Sequence, residues 1–472
     1  MADLSRDDLW RPRDVQRLAR EFADLAAAEL TRCAGPVRPA DFVARTRRLL
    51  RHGATPNRLP AAARAVAEAG LHINHPRYMA QQVAAPIPAA ALVESLVAAL
   101  NQSIAVVRMS PAGTLVDRAV LAEFRRRFGY PAAAEGSLVP GGSFANLTAL
   151  LAARAALAPQ AWQHGGGRIA VLAGAQTHYS ISRAAGILGL GTDAVFSIPM
   201  DGEYRTDAGR AHEAFAAARR AGYRKFVLIG TCGSTSTGSC DDLRALAAVA
   251  RRERAWLHVD AAHGGAFAFS RRLRAKLDGI GRADSLACDA HKMLFMPLMA
   301  GLVLVRRGAF LRRAFSQHAP YLFRGSAAAP APNVGEFTIA CSQRFDALKI
   351  WLVEQAYGGA FLGSLIEGVC DAALAAYEHC RRSSILEPAH RPECNIFCFR
   401  LRHPPRSAAA ADRLHAALED AVNASGEAYI SSTVLAGRRV LRIVVMNPRT
   451  TPRDTQAVMK LVERLAVGRR RR

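Results

Sequence analysis

The chain has 472 residues and half of them are apolar, so it can bury a large core over two or three domains, which excludes disorder of the whole chain. Its 63 basic and 39 acidic residues give a formal net charge of +24, which brings nucleic acid into consideration as a partner. The arginines are scattered in short runs, and no aromatic-rich binding motif accompanies them, so we expect nucleic acid not to be the main partner.

The N-terminal part of the chain reads as helical. Residues 14 to 50 are rich in alanine, arginine and leucine at helical spacing, and Pro56 and Pro60 interrupt the pattern that follows. We predict an N-terminal helical segment over residues 1–74 that packs on a partner chain. Another helical stretch runs from about residue 86 to 128 and leads to Pro131.

A glycine turn, Pro140-Gly-Gly-Ser143, precedes a segment from Phe144 to Leu157 with helical composition. Short apolar strands then alternate with helical segments, and this alternation predicts a mainly parallel sheet covered by helices on both faces. We assign residues 75–350 to this large α/β domain. The predicted strands are Ile169–Leu172, Phe226–Ile229, Trp256–Val259, Ser285–Cys288 and Leu302–Val305.

The pattern changes near residue 350. A long helix through Leu348–Leu352 leads into alternating strands over Asn395–Arg400 and Val440–Val445, and a terminal helix follows. We therefore predict a smaller α+β domain over residues 351–472.

The cysteine spacing and the distribution of apolar residues indicate the cellular compartment of the protein. The nine cysteines are scattered and none forms a Cys-x-x-Cys pair, which argues against a disulfide framework. The first residues lack the basic and apolar regions of a signal peptide, and we find no stretch of about 18 charge-free apolar residues. We expect a cytoplasmic protein with no membrane partner.

Lys292 and Asp260 carry the most informative pattern. Lys292 ends the run Ala283–Lys292, and Asp260 lies within Leu257–Gly265, directly after a predicted strand. A lysine amine can condense with the aldehyde of pyridoxal phosphate, while a carboxylate keeps the ring nitrogen of that cofactor protonated. Only five of the 63 basic residues are lysines, so Lys292 is unlikely to be a surface filler.

Three further segments fit a cofactor site. Gly142 and Ser143 precede a helix, where backbone N–H groups can bind a phosphate, although the same sequence also suits an ordinary turn. His178 follows a strand and can stack on a flat ring, or it can cap the next helix. The loop Gly230–Gly238 offers hydroxyl groups for a pocket, and its composition is also that of a plain loop.

A metal site is weakly supported. His258, Asp260 and His263 are ligand types, but His258 and Asp260 share a strand face while His263 lies in a glycine turn. We therefore predict no bound metal.

Taken together, these segments resemble the group II pyridoxal-phosphate-dependent amino acid decarboxylases, the family of glutamate, cysteine sulfinate, aromatic amino acid and diaminobutyrate decarboxylases. The resemblance runs from about His75 to the C-terminus. It implies the fold type I of pyridoxal-phosphate enzymes, with a mainly parallel seven-stranded sheet in the large domain. The matching segments are His75–Tyr78, Pro140–Ser143 with Ala145 and Asn146, His178–Ile181, Gly189–Asp193, His258–Gly265, Asp289–Lys292, Tyr321–Phe323 and Asn447–Pro448.

The resemblance also implies roles for individual residues. Lys292 would form the imine with the cofactor, Asp260 would pair with the pyridine nitrogen, and His178 would stack on the ring. Arg442 would bind the α-carboxylate of the substrate, and Gln81 matches a glutamine that contacts a distal acidic group. The remaining cofactor-binding residues would be Gly142, Ser143, Thr235, Ala262, Asp289 and His291. Asp289 stands where many relatives have asparagine, and it adds negative charge near the expected phosphate.

The activity implied is L-amino acid α-decarboxylation by a carboxy-lyase, with an acidic or small polar side chain favoured. The family is typically homodimeric, with active sites shared at the interface. One departure matters: the segment Arg324–Phe337 lacks the tyrosine that usually protonates the substrate carbon. Tyr321, His178 or a residue of the other subunit is a possible substitute. The alternatives are decarboxylative oxidative deamination to an aldehyde, transamination, or a non-catalytic nucleic-acid-binding role based on charge.

Overall fold

The computed structural model describes residues 12–38, 44, 47, 59–315, 319, 322–323 and 332–470. The α-helices whose bounds lie within the described residues before the large sheet are α1 (Pro12–Leu30), α2 (Leu59–Ala69), α3 (Pro88–Leu100) and α4 (Pro111–Arg127). Helix α1 buries none of its own residues, and Phe22 is 41% exposed. The predicted helical segment over residues 14 to 50 is confirmed as far as Leu30. The chain is not helical from 31 to 38, and most of the remainder lies outside the described residues.

The large sheet has seven strands: β1 (Glu135–Val139), β2 (Ile169–Gly174), β3 (Val195–Ile198), β4 (Lys225–Thr231), β5 (Trp256–Asp260), β6 (Ser285–Asp289) and β7 (Gly301–Val305). Their order is β1-β7-β6-β5-β4-β2-β3, and β7 runs antiparallel to both of its neighbours. The other neighbouring pairs are parallel. The prediction of a mainly parallel seven-stranded sheet is confirmed. The sequence analysis missed strands β1 and β3.

Helices cover both faces of this sheet, because alternate residues of its buried strands point to opposite sides. Trp256, Ala287 and Val303 belong to the face that packs on α5, whereas Leu257, Leu286 and Leu302 belong to the opposite face. The helices that accompany the sheet are α5 (Gly142–Leu157), α6 (Ala161–His164), α7 (Ser180–Ile187), α8 (Ala211–Arg220), α9 (Leu243–Glu253) and α10 (Gly308–Ala314).

The C-terminal part contains an antiparallel sheet of four strands in the order β10-β11-β9-β8. These strands are β8 (Leu386–Pro388), β9 (Ile396–Leu401), β10 (Ser431–Leu435) and β11 (Arg438–Val444), and the helices are α11 (Ala347–Arg382), α12 (Ala408–Ser425) and α13 (Pro452–Arg470). Met79 binds this region through two backbone hydrogen bonds, to Tyr429 O and from Val444 N, each 2.8 Å long. The division at residues 74 and 350 stays a prediction; α11 crosses the second boundary.

Helix α11 is long and apolar enough to cross a membrane by length and composition alone. Its helical geometry breaks at Gly358, which has a φ of 76°. The helix packs against α3, α4 and α13, and residues such as Ile366 and Val369 are fully buried. These contacts are those of a core helix in a globular fold.

Lys349 of α11 is a buried charge that ties three segments together. Its side chain is 0% exposed, and its Nζ donates to Glu94 Oε1 at 2.6 Å, Met299 O at 3.0 Å and Asp346 Oδ1 at 3.1 Å. Arg344 pairs with the same two carboxylates. A buried charge must be fully paired to be tolerated, so this cluster fixes the loop at Met299 relative to α3 and α11.

We expect Lys349→Ala to lower the free energy of unfolding by about 3 to 5 kcal/mol, because it leaves two carboxylates without their buried partner. Urea-induced unfolding followed by circular dichroism measures the change. The matched control is Lys225→Ala at the exposed start of β4, which should stay within about 0.5 kcal/mol of the wild type. An equally small effect of Lys349→Ala would show that the cluster contributes little to stability.

Candidate active site

A cavity of about 780 Å³ lies where strands β4, β5 and β6 end. Thr231, Asp260 and Asp289 are the last residues of these three strands, and all line the cavity. Carboxyl ends of parallel strands are the usual place for sites in open α/β sheets. The turn at Pro140–Phe144 and the loop at Leu298–Met299 also line the cavity.

Lys292 lies in the turn after β6. Its Nζ is 3.2 Å from Asp289 Oδ2, and its side chain is 20% exposed. The neighbouring His291 accepts a hydrogen bond at Nδ1 from the backbone N–H of Ala300 (3.0 Å), so a neutral ring carries its proton on Nε2. Burial lowers the pKa of His291. The turn therefore presents an amine and an imidazole N–H beside a buried carboxylate.

Asp260 is 6% exposed and both of its carboxylate oxygens have donors. Oδ1 accepts from the backbone N–H of Ala262 (3.1 Å), and Oδ2 accepts from Asn146 Nδ2 (2.9 Å). A buried carboxylate is tolerated when hydrogen bonds compensate for lost hydration. The carboxylate is thus fixed in orientation at the cavity.

The glycine turn at the start of α5 leaves no room for side chains. A Cβ on Gly142 would lie 2.9 Å from Ala262 Cβ and 3.0 Å from Asp289 Oδ2, and one on Gly141 would lie 3.0 Å from His291 Cε1. The first N–H groups of a helix have no intrahelical acceptors and attract anions. The cradle formed by Gly141, Gly142 and Ser143 fits a phosphate group. Asp289 Oδ1, which is buried and has no hydrogen-bond partner in the described structure, borders it.

His178 and Tyr179 line the cavity after strand β2. The His178 Nδ1 lies 2.8 Å from Ser180 Oγ, and burial lowers the pKa of this histidine. Tyr179 is 58% exposed, and its ring centroid is 4.2 Å from that of His178. The guanidinium carbon of Arg183 lies over the Tyr179 ring, 4.5 Å from its centroid. The two rings form an aromatic wall that suits a flat cofactor.

Arg442 of β11 does not line the cavity itself. It is 6% exposed, and its guanidinium donates to Thr235 O (2.6 Å), Ser431 Oγ (3.1 Å) and Ala80 O (3.4 Å). Burial lowers its pKa, and no carboxylate of the described residues forms a salt bridge with it. Thr235 and Gln81 form part of the cavity wall, and the Arg442 guanidinium lies behind that wall without an acidic partner among the described residues.

The structure gathers ten predicted site residues around one cavity and leaves Arg442 behind its wall. The ten are Gln81, Gly142, Ser143, His178, Thr235, Asp260, Ala262, Asp289, His291 and Lys292. Their individual roles stay predictions. Tyr321 and residues 324–331 of the tyrosine-free segment lie outside the described part of the chain.

The hydroxyl groups of the loop after β4 serve mainly the loop itself. Ser234, Thr237 and Ser239 hydrogen-bond to one another at 2.9 to 3.0 Å. Two hydroxyl residues of the segment Gly230–Gly238 line the cavity: Thr231 at the end of β4 and Thr235 in the loop. The expectation that the loop's hydroxyls serve the pocket therefore holds only for these two residues.

Two buried histidines have partners other than a metal. His258 bonds to Asn146 Oδ1 and Ser285 Oγ, both at 2.9 Å, and His263 bonds to Asn395 Oδ1 at 2.7 Å. Burial lowers the pKa of His258 to about 4 and that of His263 to about 3. Within the described ranges, no three histidine, cysteine, aspartate or glutamate side chains converge as a metal site would require.

The sequence analysis did not assign Asn146 a role, although it binds Asp260 directly. It also omitted Tyr179, Leu298 and Met299 from the site. The available signal for Asn146 was a polar residue on an otherwise apolar helix, one turn after the glycine cradle.

Comparison with known proteins identifies the family of this chain. Residues 59–402 match the model of the pyridoxal-dependent decarboxylase conserved domain. The chain is 35% identical to L-2,4-diaminobutyrate decarboxylase of Rhizobium meliloti (strain 1021) over 392 residues, covering 82% of this chain and 77% of that protein. It is 32% identical to cysteine sulfinic acid decarboxylase of Rattus norvegicus over 352 residues, covering 74% and 71% of the two chains.

Solved structures agree with this result. The crystal structure of mouse CSAD superposes with a TM-score of 0.89 at 27% sequence identity, covering 96% of this chain and 99% of that one. The crystal structure of Oryza sativa TDC with PLP and tryptamine gives a TM-score of 0.88 at 25% identity, covering 99% of both chains. The predicted fold type I and the predicted family are confirmed: the chain belongs to the pyridoxal-dependent decarboxylase family.

Proposed function

We propose that this protein is a pyridoxal-phosphate-dependent α-decarboxylase for an L-amino acid with an acidic or small polar side chain. One observation carries the proposal: Lys292, Asp260 and the glycine cradle at the start of α5 line the same cavity. A lysine amine, a fixed carboxylate and an anion site are the three groups that this cofactor needs. When bound, the cofactor supplies the electron sink that stabilises the charge left by departing CO₂.

The residues of the chain would hold the cofactor and orient it. Lys292 would provide the amine that attaches the cofactor, and Asp260 would hold a proton on the pyridine nitrogen through a charge-assisted hydrogen bond. The N–H groups of Gly142 and Ser143 and the imidazole of His291 would bind the phosphate, with Asp289 beside them. His178 would stack on the ring, while Thr235 and Ala262 would limit its position. These assignments rest on the family resemblance, and the position of each residue at the cavity supports them.

Arg442 is proposed to bind the α-carboxylate of the substrate. Its guanidinium is buried, its hydrogen bonds go to neutral oxygens, and no acidic partner neutralises it among the described residues. A carboxylate bound here would be oriented relative to the ring, and orientation is a large part of what a protein contributes to such a reaction.

The substrate preference rests on Gln81 and on the relatives. Gln81 is exposed and lines the cavity, where its amide can bind a polar side chain. Two of the similar proteins are named for 2,4-diaminobutyrate and cysteine sulfinic acid, which both have short polar side chains, and another, of Bacillus atrophaeus at 30% identity, is named aromatic-L-amino-acid decarboxylase. The preference for a short polar substrate over an aromatic one therefore rests mainly on Gln81.

An aldehyde product is the second candidate. The segment Arg324–Phe337 contains no tyrosine to protonate the substrate carbon, and this favours oxidative deamination after CO₂ loss, or transamination. Amine and CO₂ without ammonia or hydrogen peroxide would support the decarboxylase. Ammonia and peroxide in step with CO₂ would support the aldehyde synthase.

We further propose a cytoplasmic homodimer with shared active sites. Helix α3 exposes Leu92, Leu96 and Leu100 at four-residue spacing, so they form one apolar stripe, and each is at least 42% exposed. Leu298 and Met299 at the cavity are also more than half exposed. A second copy of the chain would cover these surfaces. All nine cysteines are free thiols, which is consistent with a reducing compartment.

Lys292→Ala tests the cofactor assignment. We expect the wild type with added pyridoxal phosphate to absorb at about 420 nm. Treatment with borohydride should then attach the cofactor covalently to Lys292. The variant should lose this attachment and release no CO₂ from a panel of L-amino acids. Lys276→Ala is the matched control, because Lys276 is also a partly buried lysine paired with a carboxylate, Glu393 at 2.9 Å. Attachment to the Lys292→Ala variant would refute the assignment.

Arg442→Met tests carboxylate binding. Removing a charged hydrogen-bond donor costs about 1.5 to 3 kcal/mol, so the amino acid should bind roughly 10- to 100-fold more weakly. Its amine product, which has no carboxylate, should bind as it does to the wild type. Arg439→Met on the same strand, where Arg439 donates to Ser432 Oγ at 2.6 Å, is the control. Equal losses for the amino acid and the amine, measured by spectroscopic titration, would contradict this role.

Leu96→Glu tests the dimer. Sedimentation velocity should show the wild type as a dimer and the variant as a monomer with little activity, because a charge in an apolar interface is costly to bury. Val434→Glu places the same charge at a residue that is 53% exposed on β10, and it should leave the dimer intact. A monomeric, active wild type would rule out shared active sites.

A further inference from the structure

A chain of hydrogen bonds runs through the core behind Asp260. Alternate residues of β5 point to the same face, so Trp256, His258 and Asp260 all face helix α5. Ser285 of β6 and Asn146 of α5 complete the connection, and Ser180 extends it to His178. The first six of these side chains are each at most 6% exposed. Their hydrogen bonds are therefore isolated from water.

The Trp256 end of the chain fits one direction of these bonds. Trp256 Nε1 can only donate, and it donates to Ser285 Oγ at 2.9 Å. The Ser285 hydroxyl proton is then available for His258 Nδ1, also at 2.9 Å. Burial lowers the pKa of His258 to about 4, so the ring is neutral and has a single N–H. With Nδ1 as the acceptor, that N–H is on Nε2 and donates to Asn146 Oδ1 at 2.9 Å.

The other end sets the same direction independently. The backbone N–H of Ser180 can only donate, and it points at His178 Nδ1 at 3.3 Å. His178 Nδ1 is therefore an acceptor, and the Ser180 hydroxyl donates to it at 2.8 Å. Ser180 Oγ in turn accepts from Asn146 Nδ2 at 2.9 Å. The Ser180 end thus requires, and the Trp256 end fits, one orientation of the Asn146 amide, with Oδ1 toward His258 and Nδ2 toward Ser180.

This orientation determines what Asp260 meets. Asn146 Nδ2 gives its second hydrogen to Asp260 Oδ2 at 2.9 Å. A flipped amide would place an oxygen against that carboxylate oxygen and a second donor against the N–H of His258. With the observed amide, Asp260 Oδ2 meets a donor and every polar group in the chain has a complementary partner.

We propose that Asn146 is a positioning residue that orients the Asp260 carboxylate and holds His178 as the tautomer with its proton on Nε2. The inference rests on the proposed function, in which both residues contact the cofactor. His178 Nε2 has no hydrogen-bond partner among the described residues, so its N–H remains available to the cavity. Trp256, Ser285 and His258 act through Asn146, because none of them reaches Asp260 directly.

The tautomers can be measured without any catalysis. Full-length protein labelled with ¹⁵N-histidine is studied by NMR with and without cofactor, and His178→Gln and His258→Gln identify the two signals. We expect both rings to be neutral with the proton on Nε2. In Asn146→Leu, His258 Nε2 loses its acceptor, so the ring should populate both tautomers. A wild-type His258 protonated on Nδ1, or a single unchanged tautomer in Asn146→Leu, would overturn the proposal.

Activity separates positioning from mere structural support. Asn146→Asp should lower kcat by roughly 10- to 100-fold, the range seen when groups that orient site residues are removed, with a much smaller change in KM. The absorbance band of the bound cofactor should shift as well. Asn423→Asp is the matched control, because Asn423 is a buried asparagine that exchanges two hydrogen bonds with Ile430 in the C-terminal part. The same kcat loss and band shift in this control would refute positioning.

Two further variants keep the test decisive. Trp256→Phe removes the donor at the far end while retaining an aromatic ring, and His258 should keep its proton on Nε2, because Asn146 Oδ1 still faces that nitrogen; a proton that moves to Nδ1 would contradict the proposal even if Asn146→Leu fails to fold. His258→Gln, which keeps a donor and an acceptor, should retain more kcat than His258→Leu, and equal losses would count against a directional chain. Absence of wild-type decarboxylation would refute the proposed function while leaving the tautomer result valid.

Discussion

The carboxylate of Asp260 imposes the strongest constraint on this fold. It is nearly buried at the end of a central strand, where an unpaired charge would be prohibitively costly. The backbone N–H of Ala262 satisfies one oxygen, and Asn146 satisfies the other from helix α5. Because α5 must approach β5 closely enough for this contact, the same approach brings the glycine cradle at the start of α5 to the cavity. The hydrogen bond between Asn146 and Asp260 thus fixes the glycine cradle of α5 relative to the end of β5.

Charge is handled differently at two other buried positions. Lys349 is compensated by two carboxylates that are themselves shared with Arg344. Arg442 has only neutral oxygens as partners among the described residues, and burial lowers its pKa. A fully paired charge stabilises a packing arrangement, whereas a charge with neutral partners retains its attraction for an anion. This difference is the physical reason for assigning Lys349 to structure and Arg442 to substrate.

Local sequence predicted the central strands well because they are continuous apolar runs. Strands β2, β4, β5, β6 and β7 were all found. Strand β1, with Glu135, Gly136 and Ser137, and the short strand β3 lack such a run, so only their pairing in the sheet defines them. Lys292 and Asp260 were predicted as site residues from short local motifs, and both line the cavity. The contact between Asn146 and Asp260 depends on packing across 114 positions, which no local pattern encodes.

The C-terminal part of the chain is coupled to the cofactor cavity at more than one point. Arg442 on β11 binds the carbonyl of Thr235, and Asn395 next to β9 binds His263 beneath the cavity. Asn395 also donates to Val445 O, just after β11. The C-terminal part of the chain therefore meets the cavity wall at two residues, Thr235 and His263, through hydrogen bonds from β11 and from the residue before β9. Because both bonds join the small sheet to loops that follow strands of the large sheet, they fix the position of one sheet relative to the other at the cavity.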